Sequence, residues 1–486
     1  MPAISGQQYL NRMKNLQPDL WLQGRKIDSA VDHPAFKGVL RTKAALYDLQ
    51  LSESNKCLMT YSSPLSGDSV GVSFLQPSSL EDLAIRRMQN TEWAKASAGM
   101  LGRSPDYMNT VLMSLSSAAG VLTEQNKDFS KNLTNLYERA RENDLCFTHS
   151  FINPQTNRSS TYIETSSEPI AARIMKTTSD GLIIKGARLL ATGGGTTDEI
   201  LVFPSGGKGT LDEYAFAFSL PSKTEGLRFI CRESFHLGNS AVNYPLSSRF
   251  DEMDTVLVFD HVLVPWDRVL FYHRADLAQR LFSESSFTQQ ALHQVINRQI
   301  VKLEFLLGTA QLLVDSLNIS EYQHVQEKIS EIIIGTESLK GLLLKAEMEA
   351  KQDKWGIMVP EIHSLYAATC LYPKLYPQYA EILQLLGAGG LMLLSSEEDF
   401  TSPISGDIHQ YLQGAEADAW TKTKIYRLVW DMTMSQFGTR QTQYERFFFG
   451  DAVRLKSNLY HHYPRKELVQ EAAQFLNIDL KDEEKS

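Results

Sequence analysis

Apolar positions recur at helical spacing through the first 145 residues. Leu83, Met88 and Trp93 follow Ser78-Ser79-Leu80-Glu81, and that serine-to-glutamate spacing predicts a capping box and a helix start after Pro77. Helical spacing also covers 107–122 and 129–141, while a short apolar piece at 20–27, broken by Gly24, predicts a hairpin. From residue 145 the texture changes to short β-type runs at 146–152, 161–165, 171–176, 182–190, 199–203, 215–220, 227–233 and 255–265. Turn residues such as Ser179-Asp180-Gly181 bound them, and strands so evenly spaced predict a compact barrel or sandwich. After Trp266 the helical period returns and holds almost to the end. Segments 290–316 and 325–350 are apolar on one face (Val301, Phe305, Leu312; Ile329, Ile333, Leu343, Leu344) and read as antiparallel members of a bundle. Gly387-Ala388-Gly389-Gly390 interrupts the pattern, 414–435 predicts another long helix, and the charge run 481–486 reads as a solvated tail.

The expected organisation is therefore α+β: a helical block at 1–145, a β-rich block at 146–270 and a helical bundle with tail at 271–486. At 486 residues, 43% hydrophobic and 22% charged, the chain has globular composition and room for two or three domains. Lysine and arginine number 48 against 57 for aspartate and glutamate, a net charge of −9. Without a basic stripe, nucleic acid and anionic membrane surfaces are poor partners; small molecules and proteins fit better. Cys57, Cys146, Cys231 and Cys370 lie far apart with no close ligand spacing, so they read as buried free thiols of a reducing cytosol, with no metal. No signal-like start and no apolar stretch of membrane length is visible, so a soluble cytoplasmic protein is expected.

The common catalytic fingerprints are missing. No G-x-G-x-x-G follows a strand, Gly193-Gly194-Gly195 lacks the Lys-Ser/Thr ending of a phosphate loop, and neither G-x-S-x-G nor H-E-x-x-H occurs. Four other stretches concentrate chemistry. Gly102-Arg103-Ser104-Pro105-Asp106-Tyr107 sets a permanent cation and a phenol four residues apart around a proline. Segment 148–158, with His149, Ser150, Phe151, Gln155, Thr156, Asn157 and Arg158, gathers a histidine, amides, hydroxyls and a cation in one strand and turn. Segment 186–193 ends a strand with the Thr192 hydroxyl beside flexible backbone, and 440–451 strings Arg440, Tyr444, Glu445, Arg446, Phe447 and Phe448 together. Singly, Arg103 or Arg446 reads as an ion-pair member, His149 as a satisfied histidine of the β-rich block, and 447–449 as core.

In this order, with Phe250-Asp251-Glu252-Met253-Asp254, the 260–269 segment and Lys302-Leu303-Glu304-Phe305 between them, these stretches resemble the 4-hydroxyphenylacetate 3-monooxygenase oxygenase family over nearly the whole chain. The resemblance implies an acyl-CoA dehydrogenase-like fold: an N-terminal helical domain, a middle antiparallel β-barrel and a C-terminal helical bundle assembling as a homotetramer. It also implies the activity. Reduced FAD, supplied in trans by a separate NAD(P)H:flavin reductase, reacts with O2 to a flavin hydroperoxide that hydroxylates a phenol ortho to its hydroxyl, 4-hydroxyphenylacetate giving 3,4-dihydroxyphenylacetate.

Carried over by position, Arg103, Tyr107 and His149 look like the groups around the phenol and the reactive edge of the flavin. His149, Ser150, Phe151, Gln155, Thr156, Asn157, Arg158 and Thr192 look like flavin contacts, with Tyr444, Glu445, Arg446, Phe447 and Phe448 a further contact region. Ser205 falls where the family holds the substrate's side chain. His293 opens a long helix where chlorophenol-oxidising relatives carry a substrate-facing histidine, and so competes with His149 as the base. Phenol or chlorophenol oxidation within the family stays open, as do an acyl-CoA dehydrogenase and a 4-hydroxybutyryl-CoA dehydratase. The last needs cluster cysteines where Arg103 and Tyr107 stand.

Overall fold

The computed structural model describes residues 3–156, 168–204, 212–478 and 480. Numbering only the elements that position the site, the amino-terminal block begins with helix α1 (Gly6–Leu16), then hairpin β1 (Asp19–Leu22) and β2 (Arg25–Lys26). Gln23 and Gly24 both take positive φ (50° and 74°), as a two-residue hairpin turn demands, which is why the apolar run breaks at a glycine. Helices α2 (Pro34–Leu51), α3 (Leu80–Ala96), α4 (Pro105–Ser117) and α5 (Lys127–Glu142) complete the block. The cap of α3 sits one residue later than the sequence suggests. Ser79 Oγ accepts the Asp82 amide at 3.1 Å and Asp82 Oδ2 accepts the Ser79 amide at 3.1 Å, so Asp82, not Glu81, closes the box.

The strands that follow are β3 (Phe147–Ser150), β4 (Arg173–Thr177), β5 (Gly181–Thr192), β6 (Glu199–Val202), β7 (Phe216–Pro221), β8 (Leu227–Cys231), β9 (Asp254–Pro265) and β10 (Val269–Tyr272). The expected antiparallel barrel is corrected. Among the described residues the strands form a six-stranded sheet, β2-β1-β8-β9-β5-β4, and a four-stranded sheet, β10-β7-β6-β3, with no closure between them. Two pairs are parallel: β3 with β6, and β1 with β8, so the amino-terminal block contributes a strand to the larger sheet. The sheets meet along β3 and β5, where hydroxyls stand in for a ladder: Thr148 Oγ1 donates to the Thr192 carbonyl (2.7 Å) and Ser150 Oγ to that of Leu189 (2.8 Å). Segment 161–165, read as a strand, lies outside the described residues.

The carboxy-terminal helices are α6 (Phe287–Leu317), α7 (Gln323–Met348), α8 (Ile362–Gly387), α9 (Ala419–Thr433), α10 (Gln436–Phe447), α11 (Ala452–His462) and α12 (Lys466–Phe475). The long helix expected at 414–435 is shorter, because Asp418 caps its start (accepting the Thr421 amide at 2.7 Å) and Ser435 caps the next helix (accepting Gly438 at 3.0 Å). One hydrophobic core joins the amino-terminal block to both sheets; a second joins α6, α7, α8 and α9 to Trp93, Met100 and Leu101. The Gly102 to Tyr107 stretch therefore lies where the two cores adjoin. The four thiols are unpaired, and of them only Cys146 is buried; Cys57 is exposed on a one-turn surface helix. Among the described residues no helix is long and apolar enough to cross a membrane.

Candidate active site

The turn before α4, strand β3 with the residue after it, and the end of α10 bring six of the expected residues together: Arg103, Tyr107, His149, Phe151, Tyr444 and Phe448. The Arg103 guanidinium lies 3.9 Å from the Phe448 ring centroid, 4.2 Å from that of Tyr107 and 5.8 Å from that of Tyr444. Tyr107 and His149 rings are 5.6 Å apart, Tyr107 and Phe448 are 5.8 Å apart edge to face, and His149 lies 4.5 Å from Phe151. Local sequence explains the placement. Pro105 starts α4 with no amide to satisfy, so Tyr107 is fixed within the first turn and Arg103 just ahead of it. Glycine at 102 allows the turn to approach α10: a Cβ there would meet the Tyr444 ring at 2.2 Å.

Among the described residues no carboxylate pairs with the Arg103 side chain, whose one hydrogen bond is Nη1 to the Gly102 carbonyl at 3.4 Å. Its charge is left to the aromatic faces, each such contact contributing about 0.5–2 kcal/mol. That charge also acts on His149. Burial, and then Arg103, push the imidazole well below its ordinary value, so it is neutral at neutral pH, and its Nδ1 is buried with no hydrogen-bond partner among the described residues. The Tyr444 hydroxyl is likewise buried and unpartnered, its acidity suppressed chiefly by burial. Two orphaned polar atoms, a cation facing aromatic rings and a shell of Phe151, Phe203 and Phe448 suit a planar, partly polar aromatic guest.

Thr192, buried at the end of β5, donates Oγ1 to Asp254 Oδ1 at 2.7 Å. Asp254 is gripped by Arg440 (2.8 Å to each oxygen) and Arg232 (3.0 Å). Burial would raise its carboxyl, but Arg440 and Arg232 hold it well below the usual carboxylate range. Sequence reading missed Asp254 and Arg440 as partners, although Asp254 stands in the conspicuous acidic stretch at 251–254.

Other expected residues are arranged differently. Glu445 is fully buried and faces Arg298 (2.7 and 3.0 Å) and Lys302 (2.8 Å) on α6. Arg446 and Phe447 are exposed, as are Gln155 and Thr156. His293 binds Glu347 Oε1 through Nε2 at 2.7 Å, and Arg87 holds the same carboxylate oxygen at 2.7 Å. Asn157, Arg158 and Ser205 lie outside the described residues.

Family models for the 4-hydroxyphenylacetate 3-hydroxylase N-terminal and C-terminal regions match residues 5–271 and 278–477. The chain belongs to this hydroxylase family. A probable 4-hydroxyphenylacetate 3-monooxygenase of Bacillus subtilis is 48% identical over 480 residues, 99% of each chain. The crystal structure of a 4-hydroxyphenylacetate 3-monooxygenase oxygenase component complexed with FAD and 4-hydroxyphenylacetate is 40% identical, with a TM-score of 0.94 over 98% of each chain. A 4-hydroxybutyryl-CoA dehydratase of N. maritimus shares the fold alone, at 19% identity and a TM-score of 0.89 over 99% of this hydroxylase-family chain and 96% of its own.

Proposed function

We propose that this chain is the oxygenase component of a two-component monooxygenase that uses reduced FAD and O2 to hydroxylate 4-hydroxyphenylacetate to 3,4-dihydroxyphenylacetate. The observation that carries the reading is the cluster of Arg103, Tyr107, His149 and Phe448 in a chain that matches the hydroxylase family along nearly its full length. Reduced FAD supplies the activation of O2. The protein's part is to bind, to orient and to manage one proton. His149, neutral through burial and the Arg103 charge, accepts the phenol proton at Nδ1; Arg103 stabilises the phenolate that results. Tyr107 and Phe448 hold the ring edge-on, and the aromatic shell excludes water. Thr192, Ser150 and the exposed Gln155–Thr156 end of the β3 segment form the flavin-facing side.

Further parts of the reading are a homotetramer, an NAD(P)H:flavin reductase as separate partner, a cytoplasmic setting and a role in aromatic catabolism. We also retain the three-domain, acyl-CoA dehydrogenase-like description (1–145, 146–270, 271–486), noting that the β1–β2 hairpin crosses its first boundary. The test is a substrate panel of 4-hydroxyphenylacetate, phenol and chlorophenols with a generic flavin reductase, NADH, FAD and air. Catechol from 4-hydroxyphenylacetate, and none when the reductase is omitted, is the expected result. Hydroxylation driven by NADH with this chain alone would overturn the two-component reading.

A further inference from the structure

Glu252 is 2% exposed, yet among the described residues its carboxylate pairs with no side-chain cation. It reaches out of the segment before β9 to two backbone amides: Oε2 accepts the Gly102 N–H and Oε1 the Arg103 N–H, both at 2.8 Å. Its neighbours grip other pieces. Asp251 holds Arg232 (2.6 Å) and the Phe235 amide (2.8 Å), while Asp254 holds Arg232, Arg440 and Thr192. The three carboxylates thus tie one short segment to a loop, to α10 and to the turn that presents Arg103.

We propose that Glu252 is a positioning residue for hydroxylation, fixing the Gly102–Arg103 turn by its backbone so that the Arg103 guanidinium is aimed between Tyr107 and Phe448 with its charge left free. A carboxylate on the guanidinium itself would orient it as well, but would neutralise the charge that the phenolate needs. Gripping the amides gives orientation without that loss. Among the described residues the Arg103 side chain itself has only a 3.4 Å hydrogen bond and its contacts with aromatic rings to hold it. From the opposite side, Tyr444 abuts Gly102, so the turn is held between Glu252 and α10.

The inference rests on the oxygenase reading, and the test separates the two. Product and hydrogen peroxide are measured per NADH consumed, with a generic flavin reductase, for wild type, Glu252→Gln, Glu252→Asp and Asp251→Asn. In Glu252→Gln one acceptor oxygen becomes an N–H donor facing an amide, and product per NADH should fall about tenfold with a matching rise in peroxide. Glu252→Asp, charged but shorter, should fall between, and it decides the matter should the glutamine variant fail to fold. Asp251→Asn should lower thermal stability while leaving the product ratio at the wild-type value. Because Glu252 acts through Arg103, adding Glu252→Gln to Arg103→Gln should cost no further product. A wild-type ratio in both Glu252 variants, or full additivity in the double variant, overturns the proposal; absence of catechol from wild type overturns the oxygenase reading and this proposal with it.

Discussion

Two arginines flank the Phe448 ring, Arg298 buried and Arg103 half-buried, and they are treated in opposite ways. Arg298, 5.4 Å from the ring, is matched by Glu445 in a bidentate pair that also takes Lys302. Arg103, 3.9 Å from the ring, has aromatic faces and no carboxylate among the described residues. The first arrangement satisfies its charges and fastens α6 to α10. The second leaves a charge uncompensated where a guest can use it. On the proposed function, the chain separates the work of holding helices together from the work of chemistry on either side of one aromatic ring, and the sign of that separation is whether the cation has a carboxylate.

Breaking the satisfied side should give the largest effect. Glu445→Ala strands Arg298 and Lys302 in the interior and should lower stability by about 3–5 kcal/mol in denaturant titration. The pH dependence follows from the same carboxyl, which burial would raise but Arg298 and Lys302 bring down to about 2. An unfolded glutamate titrates at about 4.3, so the unfolded chain binds more protons between the two values. The contribution of Glu445 is therefore complete above pH 4.3 and is lost as pH falls toward 2. Glu445→Gln should lack that portion of the acid limb; an unchanged limb would remove Glu445 from the account.

The open side should respond in activity and little in stability. Arg103→Gln should reduce product formation by about 1.5–3 kcal/mol in barrier, the cost of losing a hydrogen bond to a charge, with a much smaller shift in denaturation midpoint than Glu445→Ala. Equal stability losses in the two variants would erase the contrast. Smaller again, Tyr107→Phe and His149→Ala should still consume reduced FAD but release more peroxide, a shift of about tenfold for each 1.4 kcal/mol. His293→Ala belongs beside them: if it abolishes hydroxylation while His149→Ala stays coupled, the phenol proton goes to His293. Thr192→Val should be mildest, weakening reduced FAD by about 0.5–1.5 kcal/mol in a binding titration.

The sequence made the alternation of blocks readable because periods of 3.6 and 2 are local properties. Most segments with the strand period form strands for that reason. Partners are not local, so the parallel pairing of β3 with β6 and of β1 with β8 left no periodic trace, and a barrel was the natural expectation. The α3 cap was ambiguous on its face: Ser78 to Glu81 and Ser79 to Asp82 have the same spacing, and only backbone geometry selects the second. Glu445 shows the same limit at the site. It stands in a stretch shared with Tyr444 and Phe448, but adjacent helical positions point to different faces. A usable signal did exist in Arg298 and Lys302, two cations one helical turn apart on a helix whose Val295, Ile296, Val301 and Leu303 mark it as core-facing, where a buried cation needs an acid nearby.

The pairing of β1 with β8 joins positions 209 apart in the chain, as the Arg228–Asp19 contact marks. During synthesis the hairpin emerges early and must wait for residues 227–231, so docking it is a late, high-contact-order step. Until then β8 is a bare edge. A fragment starting after residue 30 would keep that edge permanently open to other chains, and would be expected to aggregate even though Arg103, Tyr107, His149 and Phe448 are all present in it.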